Sequence, residues 1–153
     1  MMLRISKLTD YGTVILACLA AQREQRLWTA AEVSERTQLG QATVSKLLKK
    51  MQRGGLVVST RGSRGGYRLA LPATEITAAH IVDALEGPFA ITECSSEHSS
   101  CSIEANCRVG KAWQRVNVAI HHALSEISLA QLAGVERGPA VTAPVPLARV
   151  TNE

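Results

Sequence analysis

The stretch from residue 29 to residue 72 decides the fold, and it reads TAAEVSERTQLGQATVSKLLKKMQRGGLVVSTRGSRGGYRLALP. It opens with Thr29, whose hydroxyl lies three positions before the carboxylate of Glu32. This spacing is the capping-box pattern of a helix N-terminus. We expect a short helix from there to about Thr37. After a glycine, residues 42–53 carry apolar side chains at three- and four-residue steps, which predicts a second helix. Two short helices joined by a glycine-containing turn are typical of a helix-turn-helix.

The remainder of the stretch predicts a β-hairpin. Residues 56–60 are apolar and β-branched, and residues 67–71 alternate in period two before Pro72. Between them lies the basic, glycine-rich turn 61–66. Strand, turn and strand in this order are a hairpin signal. A hairpin directly after the second helix of a helix-turn-helix makes a winged helix, so the fold class we predict is mainly α-helical with a small β-hairpin wing.

The segment before this stretch predicts another helix. The apolar residues between Ile5 and Gln22 recur at helical spacing. Ser6 and Thr9 are both suitable N-caps, and Asp10 directly after Thr9 favours the second of them. The winged helix would then cover residues 1–72.

Two further helices are predicted downstream. Residues 78–85 carry inward-facing apolar side chains and are closed by Gly87. Residues 108–132 predict one long helix, roughly 35 Å at the standard rise. We expect its apolar stripe to be buried against the same helix of a second copy in a homodimer; the alternative is packing onto the chain's own winged helix. The predicted division is 1–72 for the winged helix, 73–107 for a connecting helix and a cysteine-containing loop, 108–133 for the dimerisation helix and 134–153 for a disordered tail.

Charge is distributed unevenly along the 153 residues. Residues 1–72 contain twelve Lys and Arg against four Asp and Glu, whereas residues 73–153 contain five against nine. No acidic residue lies between Arg36 and Thr74. A basic half of this kind suggests a module that binds a polyanion, here double-stranded DNA, and the alternative is a solvated basic face.

The predicted winged helix assigns roles to these basic and polar residues. The second helix of a helix-turn-helix lies in the major groove with its N-terminal residues nearest the base edges. Lysines further along that helix are placed for phosphates, and arginines on the wing reach the minor groove. The predicted DNA-binding residues are Gln41, Ala42, Thr43, Ser45 and Lys46 at the bases, Lys49 and Lys50 at phosphates, and Arg61 and Arg64 on the wing.

Three cysteines follow the short downstream helix at the spacing Cys94-x6-Cys101-x5-Cys107, and Cys18 lies apart in the first helix. Without a secretion signal, a disulfide framework is not expected. Three thiolates in one loop predict a soft metal centre, either zinc or iron–sulfur. Zinc normally takes a closer cysteine pair, so the spacing favours an iron–sulfur cluster; redox thiols without metal and incidental cysteines are the alternatives. Cys18 is expected to be a small buried apolar residue.

Other classes of protein lack support in the sequence. The uncharged apolar run at residues 11–22 is too short for a membrane span of ~20 residues, and no signal-peptide pattern is visible. We therefore expect a cytoplasmic protein without a membrane partner. There is no C-x-x-C pair, nucleophile elbow or P-loop, and the adjacent His121 and His122 point to different helix faces. We expect no enzymatic activity.

Three features together resemble the IscR/NsrR/RirA family of bacterial iron–sulfur regulators. They are the string LRISKLTDYG at 3–12, the motif GLVVSTRGSRGGYRL at 55–69, and the three-cysteine loop before a long terminal helix. The resemblance covers about residues 3–132. Within it, LEGP at 85–88 and TEC at 92–94 look most similar to regulators of the Suf iron–sulfur assembly operon in gammaproteobacteria. The resemblance implies a homodimeric winged helix that represses iron–sulfur assembly genes and senses cluster status.

The resemblance also implies the cluster and its ligands. The implied ligands are Cys94, Cys101 and Cys107. A 2Fe–2S centre is the first choice and a 4Fe–4S centre the alternative. The IscR branch has a histidine three residues after the third cysteine, where this chain has Gly110, so the fourth ligand is open. The NsrR branch takes an aspartate from the partner's first helix, and the matching residue is Asp10, which is also a favourable helix-start acid. His98 inside the loop is a further candidate.

Overall fold

The computed structural model describes residues 5–21, 26–92 and 108–136. Within them it contains six α-helices and one two-stranded antiparallel sheet, which confirms the predicted mainly helical class with a small hairpin. In chain order the elements are α1 Lys7–Ala20, α2 Ala30–Thr37, α3 Gln41–Arg53, β1 Val57–Thr60, β2 Gly66–Leu69, α4 Ala78–Glu86, α5 Gly110–Ser125 and α6 Leu129–Leu132. None of the helices in these residues combines the length and the apolarity that a membrane span needs.

The first helix, α1, is capped by Ser6, whose hydroxyl accepts a hydrogen bond from Thr9 N at 3.3 Å. Thr9, the cap that Asp10 favoured in the sequence, is buried inside the helix instead. The Thr9 hydroxyl donates to the carboxylate of Glu86 at the end of α4. The prediction of Thr9 as the cap is wrong because this tertiary contact, which the local sequence does not contain, engages its side chain.

The helix-turn-helix forms as the sequence predicts. In the capping box of α2, Thr29 Oγ1 accepts from Glu32 N at 3.2 Å and Glu32 Oε2 accepts from Thr29 N at 2.8 Å. The helix ends at Gln38, whose left-handed backbone (φ 58°) turns the chain toward α3. One face of α3 is buried in the core, and it consists of Val44, Leu47, Leu48 and Met51. The opposite face of α3 is therefore left to solvent.

The wing is a short antiparallel hairpin with Thr60 opposite Gly66 at its turn end. A third piece of backbone joins it: Trp28 N donates to Tyr67 O at 2.8 Å, and Tyr67 N donates to Trp28 O at 2.7 Å. A Cβ on Gly66 would lie 2.7 Å from the Trp28 carbonyl oxygen, so this close approach requires glycine. The hairpin is thus fastened to the segment that precedes α2.

The long C-terminal helix that the sequence predicted is interrupted. Helix α5 ends at Ser125, and Ser128 caps the separate helix α6 by accepting from Gln131 N at 3.2 Å. Helix α6 turns back into the winged helix, where Leu129 N donates to Ile76 O at 2.7 Å and the Leu129 side chain is fully buried. The prediction of one unbroken helix is wrong. At the break, the capping box of α6 and backbone hydrogen bonds to the segment before α4 replace the hydrogen bonds that a continuous helix would form.

The aliphatic core draws buried side chains from every described helix except α5, which contributes none. Helix α5 lies against the outside of α4 and the segment after it. Asn117 Nδ2 donates to Phe89 O at 3.0 Å, and His121 Nε2 lies 3.1 Å from Asp83 Oδ2. The other faces of α5 are open to solvent in the single chain.

Candidate nucleic-acid interface

The solvent face of α3 carries the residues predicted to read bases. Gln41, Ala42 and Lys46 are exposed, and Thr43 and Ser45 are half-buried. The apolar residues of α3 point into the core, so the helical repeat turns Gln41, Ala42 and Lys46 outward and leaves Thr43 and Ser45 at the edge of the buried face. All five lie in the first two turns of the helix, the end that enters a major groove in helix-turn-helix proteins.

Further basic side chains extend this face. Lys49 and Lys50 are exposed on α3, and Arg61 and Arg64 are exposed at the tip of the wing. Among the residues that the structure describes, Lys46, Lys49, Arg61 and Arg64 form no ion pair with a carboxylate. Their charges are therefore available to an external anion.

The wing tip has the backbone that a tight turn needs. Gly62 has a φ of +116°, in the region that favours glycine, and its carbonyl accepts from Gly65 N at 3.0 Å. A Cβ on Gly65 would lie 2.2 Å from the Thr60 carbonyl oxygen. The compact turn carries Arg61 and Arg64 at the tip of the hairpin, where both side chains are exposed.

A groove of about 320 Å³ separates α3 from the wing. It is lined by Lys49, Gln52, Ser59, Thr60, Arg61, Gly66 and Tyr67. Gln52 Nε2 donates to Ser59 Oγ at 2.9 Å and so links the helix to strand β1. Sequence reasoning missed Gln52, Ser59 and Trp28, since each acts through a contact with another element and no local spacing signals it.

The predicted cluster ligands cannot be placed in the same way. Cys94, His98, Cys101 and Cys107 lie outside the described residues. Within residues 5–21, 26–92 and 108–136, no group of three His, Cys, Asp or Glu side chains could hold a metal ion. Cys18 packs half-buried against the core, and burial raises the pKa of its thiol. It therefore fills apolar space at the edge of the core, although it is only partly buried rather than buried as expected.

Asp10, the candidate fourth ligand, is exposed in the first turn of α1. It lies on the edge of a groove of about 430 Å³ between α1, α4, α5 and α6. The first turn of α1 is fastened to the end of α4, because Glu86 Oε1 accepts from Ser6 N at 3.1 Å and from the Thr9 hydroxyl. The Ser6 side chain, the Thr9 hydroxyl and Ser6 N together hold the pKa of the Glu86 carboxyl below its usual range. The backbone that carries Asp10 is therefore held in place, while its side chain is exposed on the surface of the described residues.

Exposed apolar side chains lie along one face of α5. Trp113 is 44% exposed and Val116 is 42% exposed, and Val109 lies just before the helix with 58% of its surface exposed. They follow one another at four- and three-residue steps, so they share one side of the helix. Apolar side chains grouped in this way mark an interaction surface rather than scattered surface residues.

Comparison with known proteins gives the family. Residues 5–134 match the model of the Rrf2 family, described as an iron-dependent transcriptional regulator. The helix-turn-helix-type transcriptional regulator NsrR of Oceanobacillus iheyensis is 30% identical over 131 residues, which span 85% of this chain and 89% of that protein.

Solved structures of the same size share the fold. CymR, the global cysteine regulator of B. subtilis, superposes with a TM-score of 0.67 at 28% identity and covers 88% of this chain and 99% of its own. IscR of T. potens superposes with a TM-score of 0.62 at 26% identity over 93% of each chain. The chain therefore belongs to the Rrf2 family of transcriptional regulators and is a DNA-binding protein, not an enzyme.

Proposed function

We propose that this chain is a homodimeric repressor that reads operator DNA with α3 and the wing, and that an iron–sulfur cluster controls its DNA affinity. The proposed targets are the genes of iron–sulfur cluster assembly. The observation that carries the DNA-reading part is the continuous basic surface of α3 and the wing. Its lysines and arginines are exposed, and no acidic residue lies between Arg36 and Thr74.

The proposed contacts follow from side-chain chemistry. Gln41, Thr43 and Ser45 carry hydrogen-bonding groups that suit base edges in the major groove. Ala42 and the Thr43 methyl group suit a thymine methyl. Lys46 lies beside them near the base edges, whereas Lys49 and Lys50 contact phosphates, which supply affinity and its salt dependence. Arg61 and Arg64 enter the adjacent minor groove.

The proposed sensor is the three-cysteine segment. Three thiolates are the donors that iron–sulfur clusters require, and the residues that would hold the cluster are Cys94, Cys101 and Cys107. Asp10 of the partner subunit or His98 would complete the ligand set, and the exposed position of Asp10 supports the first. When bound, the cluster supplies a group that responds to iron and oxidants. A 2Fe–2S centre is the first choice and 4Fe–4S the alternative.

The proposed dimer uses the apolar surface of α5. Burying Trp113 and Val116 of α5, with Val109 just before it, against a second copy removes exposed apolar side chains from water. A two-fold dimer presents two α3 helices to half-sites about one helical turn of DNA apart, roughly 34 Å. Operator affinity then depends on the distance and angle between those helices.

The described helices connect the cysteine segment with the DNA-reading surface. The segment lies in sequence between α4 and α5. The end of α4 is bound to the first turn of α1 through Glu86, and the far end of α5 is bound to the core through Leu129 of α6. A change in the arrangement of the segment would therefore move elements that position α3, which shifts the population between high- and low-affinity dimers.

A second candidate is a regulator of the same fold that senses through redox thiols or holds a structural zinc ion. The likeness to CymR, a cysteine regulator, favours it. Metal analysis separates the two candidates, because zinc or free thiols give no iron–sulfur chromophore.

The deciding experiment uses protein purified without oxygen. We expect iron and sulfide in stoichiometric amounts. We also expect absorbance at about 400 nm, which is typical of iron–sulfur ligation. Cys94→Ala, Cys101→Ala and Cys107→Ala should each remove the chromophore, and Cys18→Ala is the matched control that should retain it. Mobility shifts of the upstream region of its own operon should differ between holo- and apo-protein. Colourless protein with stoichiometric zinc would contradict the cluster and support the second candidate.

A further inference from the structure

We propose that Gln52 and Ser59 form a strut that holds the wing at a fixed distance from α3, and that the groove beside this strut receives the DNA phosphate backbone. The strut presupposes the proposed placement of α3 in the major groove and of the wing in the adjacent minor groove. Gln52 and Ser59 are thus positioning residues for DNA recognition.

Hydrogen bonds join both strands of the hairpin to neighbouring elements, beside the packing of Val57 and Leu69 against the core. On the β2 side, Tyr67 exchanges two backbone hydrogen bonds with Trp28. On the β1 side, Ser59, which lies opposite Tyr67 in the hairpin register, accepts from Gln52 Nε2 at 2.9 Å. This second bond joins the outer, exposed part of the wing directly to α3. The strut therefore restrains the angle between the wing and α3.

The chemistry of the groove fits a phosphodiester. Two cations, Lys49 and Arg61, stand with the hydroxyls of Ser59 and Thr60 along its walls, and no carboxylate is among its lining residues. A phosphate backbone separates the major from the minor groove in a duplex, so a helix in one and a hairpin in the other must straddle it. Cations and hydroxyls at that place are the donors that phosphate oxygens accept.

The position of Gln52 argues against direct reading of bases. It lies eleven residues after Gln41, which is roughly 16 Å along the helix axis from the N-terminal turns of α3. Its side-chain amide already donates a hydrogen bond to Ser59. Loss of Gln52 should therefore act through the wing, and loss of Ser59 should have the same effect.

The test is a double-mutant cycle on the full chain. The probe is a fluorescein-labelled mixed-sequence duplex of about 30 base pairs, long enough for two half-sites, and anisotropy gives Kd between about 50 and 200 mM salt. We expect Gln52→Ala and Ser59→Ala each to weaken binding about three- to tenfold, the effect of removing one hydrogen bond. The double variant should be no weaker than either single one within about twofold. Ser125→Ala, which removes an exposed hydroxyl on α5 far from the wing, is the matched control and should bind as the wild type does.

The salt dependence separates positioning from mere stability. A wing that no longer engages DNA neutralises fewer phosphates, so the slope of log Kd against log salt should fall by about one for each phosphate that the wing releases. A general loss of folding would leave that slope unchanged. If the losses of affinity in the two single variants were additive, or if Ser59→Ala bound like the wild type, the proposed strut would be wrong. Gln52 would then be a direct contact to DNA. If Lys46→Ala also left affinity and slope unchanged, the proposed DNA surface itself would be wrong.

Discussion

The substitution of Leu129 by alanine tests whether the chain after α5 returns to the core. Leu129 is fully buried among the core residues, whereas Leu132, three residues later in α6, is 47% exposed. Leu129→Ala deletes three buried carbons, worth about 2.4 kcal/mol at about 0.8 kcal/mol per CH₂ group. The cavity left in the core raises the loss of unfolding free energy to about 3–4 kcal/mol.

Leu132→Ala is the matched control for this substitution. Its half-exposed side chain has less transfer free energy to lose and leaves no enclosed cavity, so we expect a loss of about 1 kcal/mol or less. Urea unfolding followed by far-UV circular dichroism gives both values. All variants are measured at one protomer concentration, because association contributes to apparent stability. In thermal unfolding the Leu129→Ala midpoint should fall by roughly 10–15 °C.

Two results would refute the return of the chain to the core. The first is a Leu132→Ala variant that loses as much stability as Leu129→Ala. The second is a Leu129→Ala loss below about 1 kcal/mol, the range of surface substitutions. Either result would mean that residues after Ser125 continue α5 as one long helix, with Leu132 on its buried stripe.

Three further predictions concern the wing, the end of α4 and the dimer. Gly66→Ala should lower DNA affinity about tenfold in anisotropy, because its Cβ would clash with the Trp28 backbone and release the wing; unchanged affinity would contradict the attachment. The pKa of the Glu86 carboxyl is lower in the folded state than its ordinary value. The stability that the ionised carboxylate contributes is therefore present above a pH of about 4.3, and it is lost as the pH falls through the folded-state pKa. The stability advantage of the wild type over Glu86→Gln should therefore be below about 1 kcal/mol at neutral pH, since the carboxylate is exposed. It should shrink as the pH falls below about 4.3, and an advantage that does not change with pH would contradict it. Trp113→Glu should give a monomer in sedimentation equilibrium, because a charge in an apolar interface is costly to bury; a dimer that persists would place the interface elsewhere.

The elements that could be predicted from the sequence are those decided by short-range signals. The Thr29 and Glu32 capping box formed as expected, because both of its hydrogen bonds join residues three positions apart. The hairpin formed because its strands are separated only by a tight glycine-rich turn. Such contacts lie within the window that a local pattern covers.

The break between α5 and α6 was missed although the sequence contained a signal for it. Apolar spacing continues across the break through Leu124, Ile127 and Leu132, which favours one helix. Ser128 and Gln131 form a capping-box pattern that marks a new helix start, and the structure follows it. The decisive partners are the backbone groups of the segment before α4, and local periodicity contains no information about them.

For the DNA-reading surface, the sequence predicted the residues that face solvent but not those that hold them in place. Gln41 and Lys46 are exposed, as their helical positions require. Gln52 and Trp28 escaped prediction because their hydrogen-bond partners belong to the wing, on another element. Solvent exposure follows from periodicity, while the angle between two elements follows from contacts that only the folded chain brings together.

The contacts of α5 give the proposed sensor a route to the winged helix. Beyond its C-terminal end, Ile127 O accepts from Ala78 N at 2.8 Å and Leu129 N donates to Ile76 O. Along its length, Asn117 makes a hydrogen bond to the Phe89 carbonyl, and His121 Nε2 lies 3.1 Å from Asp83 of α4. The cysteines precede α5 in sequence. Because a helix moves largely as a rigid element, a displacement beside the cysteines would be carried through these contacts to α4 and to the segment that follows the wing. Loss of the contacts between α5 and α4 would therefore uncouple the proposed sensor from α3.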